Sequence, residues 1–206
     1  MSIDDLTSNK VKRPAVFMDR DGTISEEIGY VNHPSRYRVF PYASEAVRLL
    51  NQSNYLAVLI TNQAGVARGY FTEDVIKAVH TRLEKELAEG DAHLDAIFYC
   101  AHHPSVGTAP YCLDCDCRKP KPGLIVRAAA EFEIDLQRSW MIGDRYSDVE
   151  LARNAGVRSA FVLSGYGLGE WEYQRGIWKT EPDLVANDLL EAVRLIVGDE
   201  NTKSGN

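Results

Sequence analysis

Val16-Phe17-Met18-Asp19-Arg20-Asp21-Gly22-Thr23 joins a short apolar run to two carboxylates and a glycine turn. The run reads as the end of a buried strand. In extended backbone, residues two apart point the same way, so Asp19 and Asp21 can face one pocket. Carboxylates that close repel each other, and are tolerated where a cation such as Mg²⁺ neutralises them or where one stays protonated. An aspartate can also attack phosphorus and form an aspartyl phosphate. A surface Asp-x-Asp turn would look the same in isolation, so the surrounding chain has to decide.

Outward from this stretch, strand-like and helix-like segments alternate. Strands are predicted at Ala15–Met18, Tyr55–Ile60, Ala96–Tyr99, Ser139–Ile142 and Arg158–Leu163, with a sixth at Leu184–Ala186. Helices are predicted at Ser44–Gln52 with Ser44 as N-cap, at Thr72–Glu89 with Thr72 as cap and Gly90 as its end, and at Leu124–Phe132. Two more follow at Ser147–Asn154, closed by Gly156, and at Asp188–Val197. This order implies an α/β fold, a doubly wound parallel sheet covered on both faces. Ligands of such sheets bind at the carboxyl ends of the strands, so the polar residues after each strand should converge. Gly165–Glu181 matches no element, and Ser2–Arg13 and Glu200–Asn206 read as frayed tails.

The chain has 206 residues and a formal net charge of −7. One domain spanning residues 1–206 is expected, with its core at about 14–198. No apolar run is long enough to cross a bilayer, and the polar Met1–Lys12 holds no signal-peptide core, so a cytoplasmic protein is expected with no membrane partner. The acidic balance argues against nucleic acid. Arg118, Lys119 and Lys121 form a local basic spot that suits a small anion.

The remaining strand tips carry compatible chemistry. Thr61-Asn62-Gln63-Ala64-Gly65 offers a hydroxyl and backbone N–H groups to phosphate oxygens. Gly143-Asp144-Arg145-Tyr146-Ser147-Asp148 places Asp144 where it can complete an oxygen shell for Mg²⁺. Asp148 either supports that shell or favours a helix N-terminus. Lys119, on a Pro-rich loop, can neutralise a transferring phosphoryl group. Each item alone has an ordinary explanation as a polar turn; their order along successive strands does not.

Taken together, these four segments resemble the motifs of the haloacid dehalogenase superfamily from about Ala15 to Phe161. The resemblance implies that Asp19 is the nucleophile and Asp21 the general acid/base. It also implies that Thr61 and Lys119 hold the phosphoryl group, and that Mg²⁺ is bound by Asp19, Asp144 and the Asp21 backbone carbonyl. An aspartate at position 21 resembles the phosphatases of the superfamily rather than its dehalogenases or P-type ATPases. The short segments between motifs leave no room for a cap domain, so a capless site is expected.

All four cysteines lie between Cys100 and Cys117. Six soft or borderline ligands, Cys100, His102, His103, Cys112, Cys115 and Cys117, point to tetrahedral Zn²⁺ in the loop 100–117. Spacing alone allows both Cys112-x-x-Cys115 and Cys115-x-Cys117. The loop resembles that of the D-glycero-D-manno-heptose-1,7-bisphosphate 7-phosphatase family, Cys-x-His followed by Cys-x-Cys-Arg-Lys-Pro, which selects Cys100, His102, Cys115 and Cys117. Cys112 stands outside that pattern. With no open coordination position implied, the zinc reads as structural.

The same resemblance implies that Glu27, Ile28, Gly29, Tyr30, Thr61, Asn62, Gln63, Ala64, Arg118, Lys119 and Arg145 line the substrate site. Arg145 stands where the family motif carries lysine. A monomeric Mg²⁺-dependent phosphatase is therefore expected, removing the 7-phosphate of a heptose 1,7-bisphosphate in the supply of nucleotide-activated heptose. The alternative the resemblance implies is a histidinol-phosphate phosphatase, a close relative with a similar zinc loop. A phosphosugar-binding module without catalysis is disfavoured, since Asp19, Asp21, Lys119 and Asp144 are all present.

Overall fold

Along β1 (Ala15–Met18) side chains alternate between two separate cores. Val16 and Met18 join one, Ala15 and Phe17 the other, as period-two geometry requires. A strand buried on both faces must be covered on both faces, and the computed structural model, which describes residues 12–203, shows that arrangement. The other strands are β2 (Leu56–Asn62), β3 (Ala96–Cys100), β4 (Trp140–Gly143), β5 (Arg158–Val162) and β6 (Leu184–Ala186). They form one six-stranded sheet in the order β3-β2-β1-β4-β5-β6, every pairing parallel.

The helices are α1 (Ala43–Asn51), α2 (Glu73–Ala88), α3 (Gly123–Phe132), α4 (Tyr146–Ala155), α5 (Gly167–Tyr173) and α6 (Leu189–Lys203). α1, α2 and α6 bury Val47, Val79, Leu83 and Val193 against the Val16/Met18 face. α3 and α4 bury Leu124, Ile125 and Leu151 against the Ala15/Phe17 face. The strand order reverses between β1 and β4, where a doubly wound sheet opens a crevice at its carboxyl edge. Between β2 and Lys119 the chain inserts only α2, β3 and the Cys/His loop.

Two predicted helix ends differ. Ser44 is not an N-cap: Ala43 already donates its N–H to Phe40 O at 3.0 Å, so the chain enters the helix earlier and the Ser44 hydroxyl turns to Glu86 O. Thr72 does occupy the N-cap of α2, though its side chain makes no capping bond. Gly90 does not supply the left-handed residue after α2; Asp91 does, at φ 55°. Gly90 instead lets α1 approach, since a Cβ there would sit 2.4 Å from Ser44 Cβ. Gly156 closes α4 in left-handed conformation, as predicted.

The expected fraying at residues 2–11 and 204–206 lies outside the described residues. Arg13 is held in place, bridged to Ile134 and hydrogen-bonded to Tyr55 O, and α6 continues to Lys203. Among the described residues, no helix is long and apolar enough to cross a membrane.

Candidate active site

Three strand tips and one loop meet at the β1/β4 crevice. Asp19 follows β1, and its N–H continues the ladder by donating to Ile142 O at 2.9 Å, which fixes the carboxylate over β4. Lys119 Nζ lies 2.8 Å from Asp19 Oδ2 and 2.7 Å from Asp148 Oδ1. All three groups are buried, so burial alone would push the ammonium down. The ion pairs to Asp148 and Asp19 outweigh it and hold Lys119 above its usual range. Burial pushes the Asp19 carboxyl up to about 6 despite Lys119, with Asp148 and Asp21 adding to the rise. Removing Lys119, the cation shared by both carboxylates, would leave them buried and unpaired at a cost of about 3–5 kcal/mol.

Asp144, fully buried beneath the cleft, is lifted well above the carboxylate range by burial and then by Asp19 and Asp148. Its Oδ2 accepts the Tyr166 N–H at 2.8 Å, whereas its Oδ1 has no hydrogen-bond partner. Glycine makes room for this carboxylate on two sides. A Cβ at Gly22 (φ +84°) would come within 2.1 Å of Asp144 Oδ2, and one at Gly165 (φ +56°) within 2.2 Å. Oxygens of Asp19, Asp144 and Asp148 lie within 4.8 Å of one another. Three carboxyl groups crowd a single ammonium around an orphaned oxygen. That donor set fits a hard divalent cation.

Asp21 borders the same cleft, but its carboxylate turns to Arg20 and Gln63. Arg20 is buried, and its Nη1 lies 3.4 Å from His80 Nε2. Burial, with Arg20 alongside, pushes the His80 imidazole down to about 3. The unfolded chain protonates this residue near 6.5, so it binds more protons than the folded chain between these values. The contribution of His80 to stability is therefore complete above pH 6.5 and is lost progressively below it. Thermal melts of His80→Gln should fall less steeply than wild type as pH drops below 6.5; parallel curves would refute this assignment.

Thr61, at the tip of β2, accepts a hydrogen bond from Gln63 Nε2 at 2.9 Å. Asn62 brackets the Lys119 backbone, donating to its carbonyl at 3.3 Å and accepting its N–H at 3.1 Å. Sulfur and nitrogen atoms of Cys100, His102, Cys115 and Cys117 cluster two residues before Lys119. Cys117 Sγ lies 3.1 Å from Cys115 Sγ, 3.3 Å from Cys100 Sγ and 3.4 Å from His102 Nδ1. No disulfide forms. These spacings approach the edge of a tetrahedron with metal–sulfur bonds of about 2.3 Å. Cys112 is exposed and outside the cluster.

The cleft holds about 590 Å³. Of the residues the sequence assigned to catalysis and substrate, Asp19, Asp21, Glu27, Gly29, Tyr30, Thr61, Asn62, Gln63, Ala64, Arg118, Lys119 and Arg145 line it. Ile28 does not: its side chain packs against the core beneath. Sequence reasoning missed the opposite wall. The unassigned 165–181 segment contains α5, which brings Glu170 to the cleft, with Tyr166 and Gln174 at its two ends. Glu170 pairs with Arg145 Nε at 3.1 Å and accepts the Tyr146 N–H at 2.7 Å, while Arg145 stacks 4.5 Å from the Tyr166 ring centroid. The wall is pinned by Trp178 between Tyr146, Phe161 and Trp171. Its sequence signal was its position after β5, the same carboxyl edge as the other tips.

A parallel sheet with this carboxylate–lysine cluster at its switch point defines a hydrolase of the haloacid dehalogenase class. A family model described as HAD-hydrolase-like matches residues 116–192. A D-glycero-D-manno-heptose-1,7-bisphosphate 7-phosphatase of Thermosynechococcus vestitus is 40% identical over 190 residues, covering 89% of this chain and 95% of its own. The D-glycero-beta-D-manno-heptose-1,7-bisphosphate 7-phosphatase of Pasteurella multocida is 40% identical over 90% of this chain and 98% of its own. The chain belongs to this family of heptose-bisphosphate phosphatases. Among solved structures, the D,D-heptose 1,7-bisphosphate phosphatase of B. bronchiseptica, complexed with magnesium and phosphate, superposes with a TM-score of 0.81 at 30% identity, covering 90% of this chain and 99% of that one.

Proposed function

We propose that this chain removes the 7-phosphate of D-glycero-D-manno-heptose 1,7-bisphosphate, working as one capless domain and a monomer in the cytoplasm. The observation that carries the reading is Lys119, ion-paired at once to Asp19 and Asp148 at the floor of the cleft. It keeps a buried nucleophilic carboxylate beside a fixed positive charge, as phosphoryl transfer requires. Asp19, Asp144 and the backbone carbonyl of Asp21 would hold Mg²⁺, which supplies charge neutralisation of the phosphoryl oxygens. Cys100, His102, Cys115 and Cys117 would hold Zn²⁺, which anchors the loop ending at Arg118 and Lys119.

Asp19 attacks phosphorus, and the bond to the sugar oxygen breaks as Asp21 gives that oxygen a proton. Asp21, now a carboxylate, takes a proton from the water that attacks the aspartyl phosphate, releasing phosphate and restoring Asp19. Proton donation of this kind contributes on the order of 10²–10⁴ in rate. Thr61 and Lys119 hold the phosphoryl oxygens, while Arg118 and Arg145 offer the sugar's second phosphate a cationic rim. The cleft volume suits a ligand of that size. The product feeds the synthesis of nucleotide-activated heptose.

Phosphate release with Mg²⁺ from both anomers of the bisphosphate and from histidinol phosphate tests the reading. The heptose should give the highest kcat/KM, with the β anomer preferred, since the names of the P. multocida and Haemophilus influenzae relatives specify it. A higher value for histidinol phosphate would overturn the substrate. No release from any phosphate ester would overturn the enzyme reading in favour of a binding module.

A further inference from the structure

Arg20 stands between the two catalytic aspartates and is itself 1% exposed. Taking a guanidinium out of water costs several kcal/mol unless its donors are met, so its placement calls for a reason. Its Nε donates to Asp21 Oδ1 at 3.1 Å and its Nη2 to Asp21 Oδ2 at 2.8 Å. Neighbouring residues on a strand point to opposite faces and cannot make this fork. It forms because the chain turns here: Arg20 O accepts the N–H groups of Thr23, Ile24 and Ser25. Behind it the guanidinium rests 5.6 Å from the Tyr37 ring centroid. Its Nη1 meets His80 Nε2 at 3.4 Å, and because arginine only donates, that nitrogen is the imidazole's acceptor.

The fork does more than neutralise Asp21. Each carboxylate oxygen has two in-plane acceptor positions. Oδ2 takes two donors, Arg20 Nη2 and Gln63 Nε2 at 2.9 Å. Oδ1 takes Arg20 Nε alone. We propose that Arg20, backed by His80 and aided by Gln63, is the positioning residue of Asp21 and leaves Oδ1 as the oxygen that carries the proton. This rests on the phosphatase reading above. When the ester bond breaks, its electron pair stays on the leaving oxygen, which takes the proton from Oδ1. In the second half-reaction Oδ1 recovers a proton from the attacking water. Arg20 and Gln63 keep the carboxyl plane fixed through both transfers.

Positioning of an acid matters most for poor leaving groups, which need the proton, and least for good ones. The test is therefore kcat/KM, which reports the transfer to Asp19, for wild type, Arg20→Ala and Arg20→Lys with Mg²⁺. The substrates are the heptose bisphosphate, a simple primary alkyl phosphate and 4-nitrophenyl phosphate. Arg20→Ala should lose about 10²–10⁴-fold on the alkyl esters and far less on 4-nitrophenyl phosphate. Arg20→Lys, which keeps the buried charge without the fork, should show the same pattern at smaller size, and it carries the test should the alanine variant not fold. Equal losses across the three esters, or no loss on the alkyl esters, would overturn the proposal while leaving the phosphatase reading intact. A wild type that cleaves none of them would remove both.

Discussion

Asp19→Asn lowers phosphate release by about 10⁴-fold or more, the scale seen when a covalent nucleophile is removed, and leaves the fold at least as stable. The two halves of this expectation share one cause. Burial opposes the charged form of Asp19 and lifts its carboxyl to about 6. An amide of the same shape carries no such penalty, and Lys119 keeps its second partner, Asp148 at 2.7 Å. The thermal midpoint should match or exceed that of wild type while turnover vanishes. Turnover within tenfold of wild type would remove Asp19 from its role; a collapse of stability would mean that its charge holds the fold together.

The second large effect is on the cysteine cluster. Cys117→Ser should drop zinc from about one ion per chain to a small fraction, because a hydroxyl is a poor substitute for thiolate on this metal. Structural zinc is worth about 10–16 kcal/mol in isolated small domains. Here the sheet carries most of the fold, so the loss should be concentrated in the loop. Lys119 lies two residues beyond Cys117, and its backbone is held by Asn62. Turnover should therefore fall with zinc content, while Cys112→Ser, altering an exposed thiol outside the cluster, should keep both. Elemental analysis decides: unchanged zinc in Cys117→Ser rejects the ligand set.

The strands were legible because each is a short apolar run ending in polar residues, and the convergence at the carboxyl edge followed from parallel topology. Helix entries were less so. Ser44 is a good capping residue by type, but a turn closed by Phe40 O pre-empted it, and that bond involves no side chain the sequence displays. Ile28 sits among cleft residues in sequence yet packs inward. Asp148 was ambiguous because it does two things, accepting the Arg145 N–H at 3.2 Å through one oxygen and pairing Lys119 through the other. Glu170 was invisible because its significance lies in meeting Arg145 and the start of α4 across 24 or 25 residues.

The seam between β1 and β4 has a consequence for how the protein comes into being. The Asp19 N–H meets Ile142 O only when strands more than a hundred residues apart in the chain lie side by side. Joining so distant a pair is among the slower events in assembling a sheet. Asp19 and Lys119 belong to the part of the chain before that seam closes, Asp144 and Asp148 to the part after it. Neither portion alone gathers the three carboxylates, so a half-finished chain holds no cation trap. Cation binding is thus withheld until this seam is made, and hydrolysis becomes a certificate that β1 and β4 have paired.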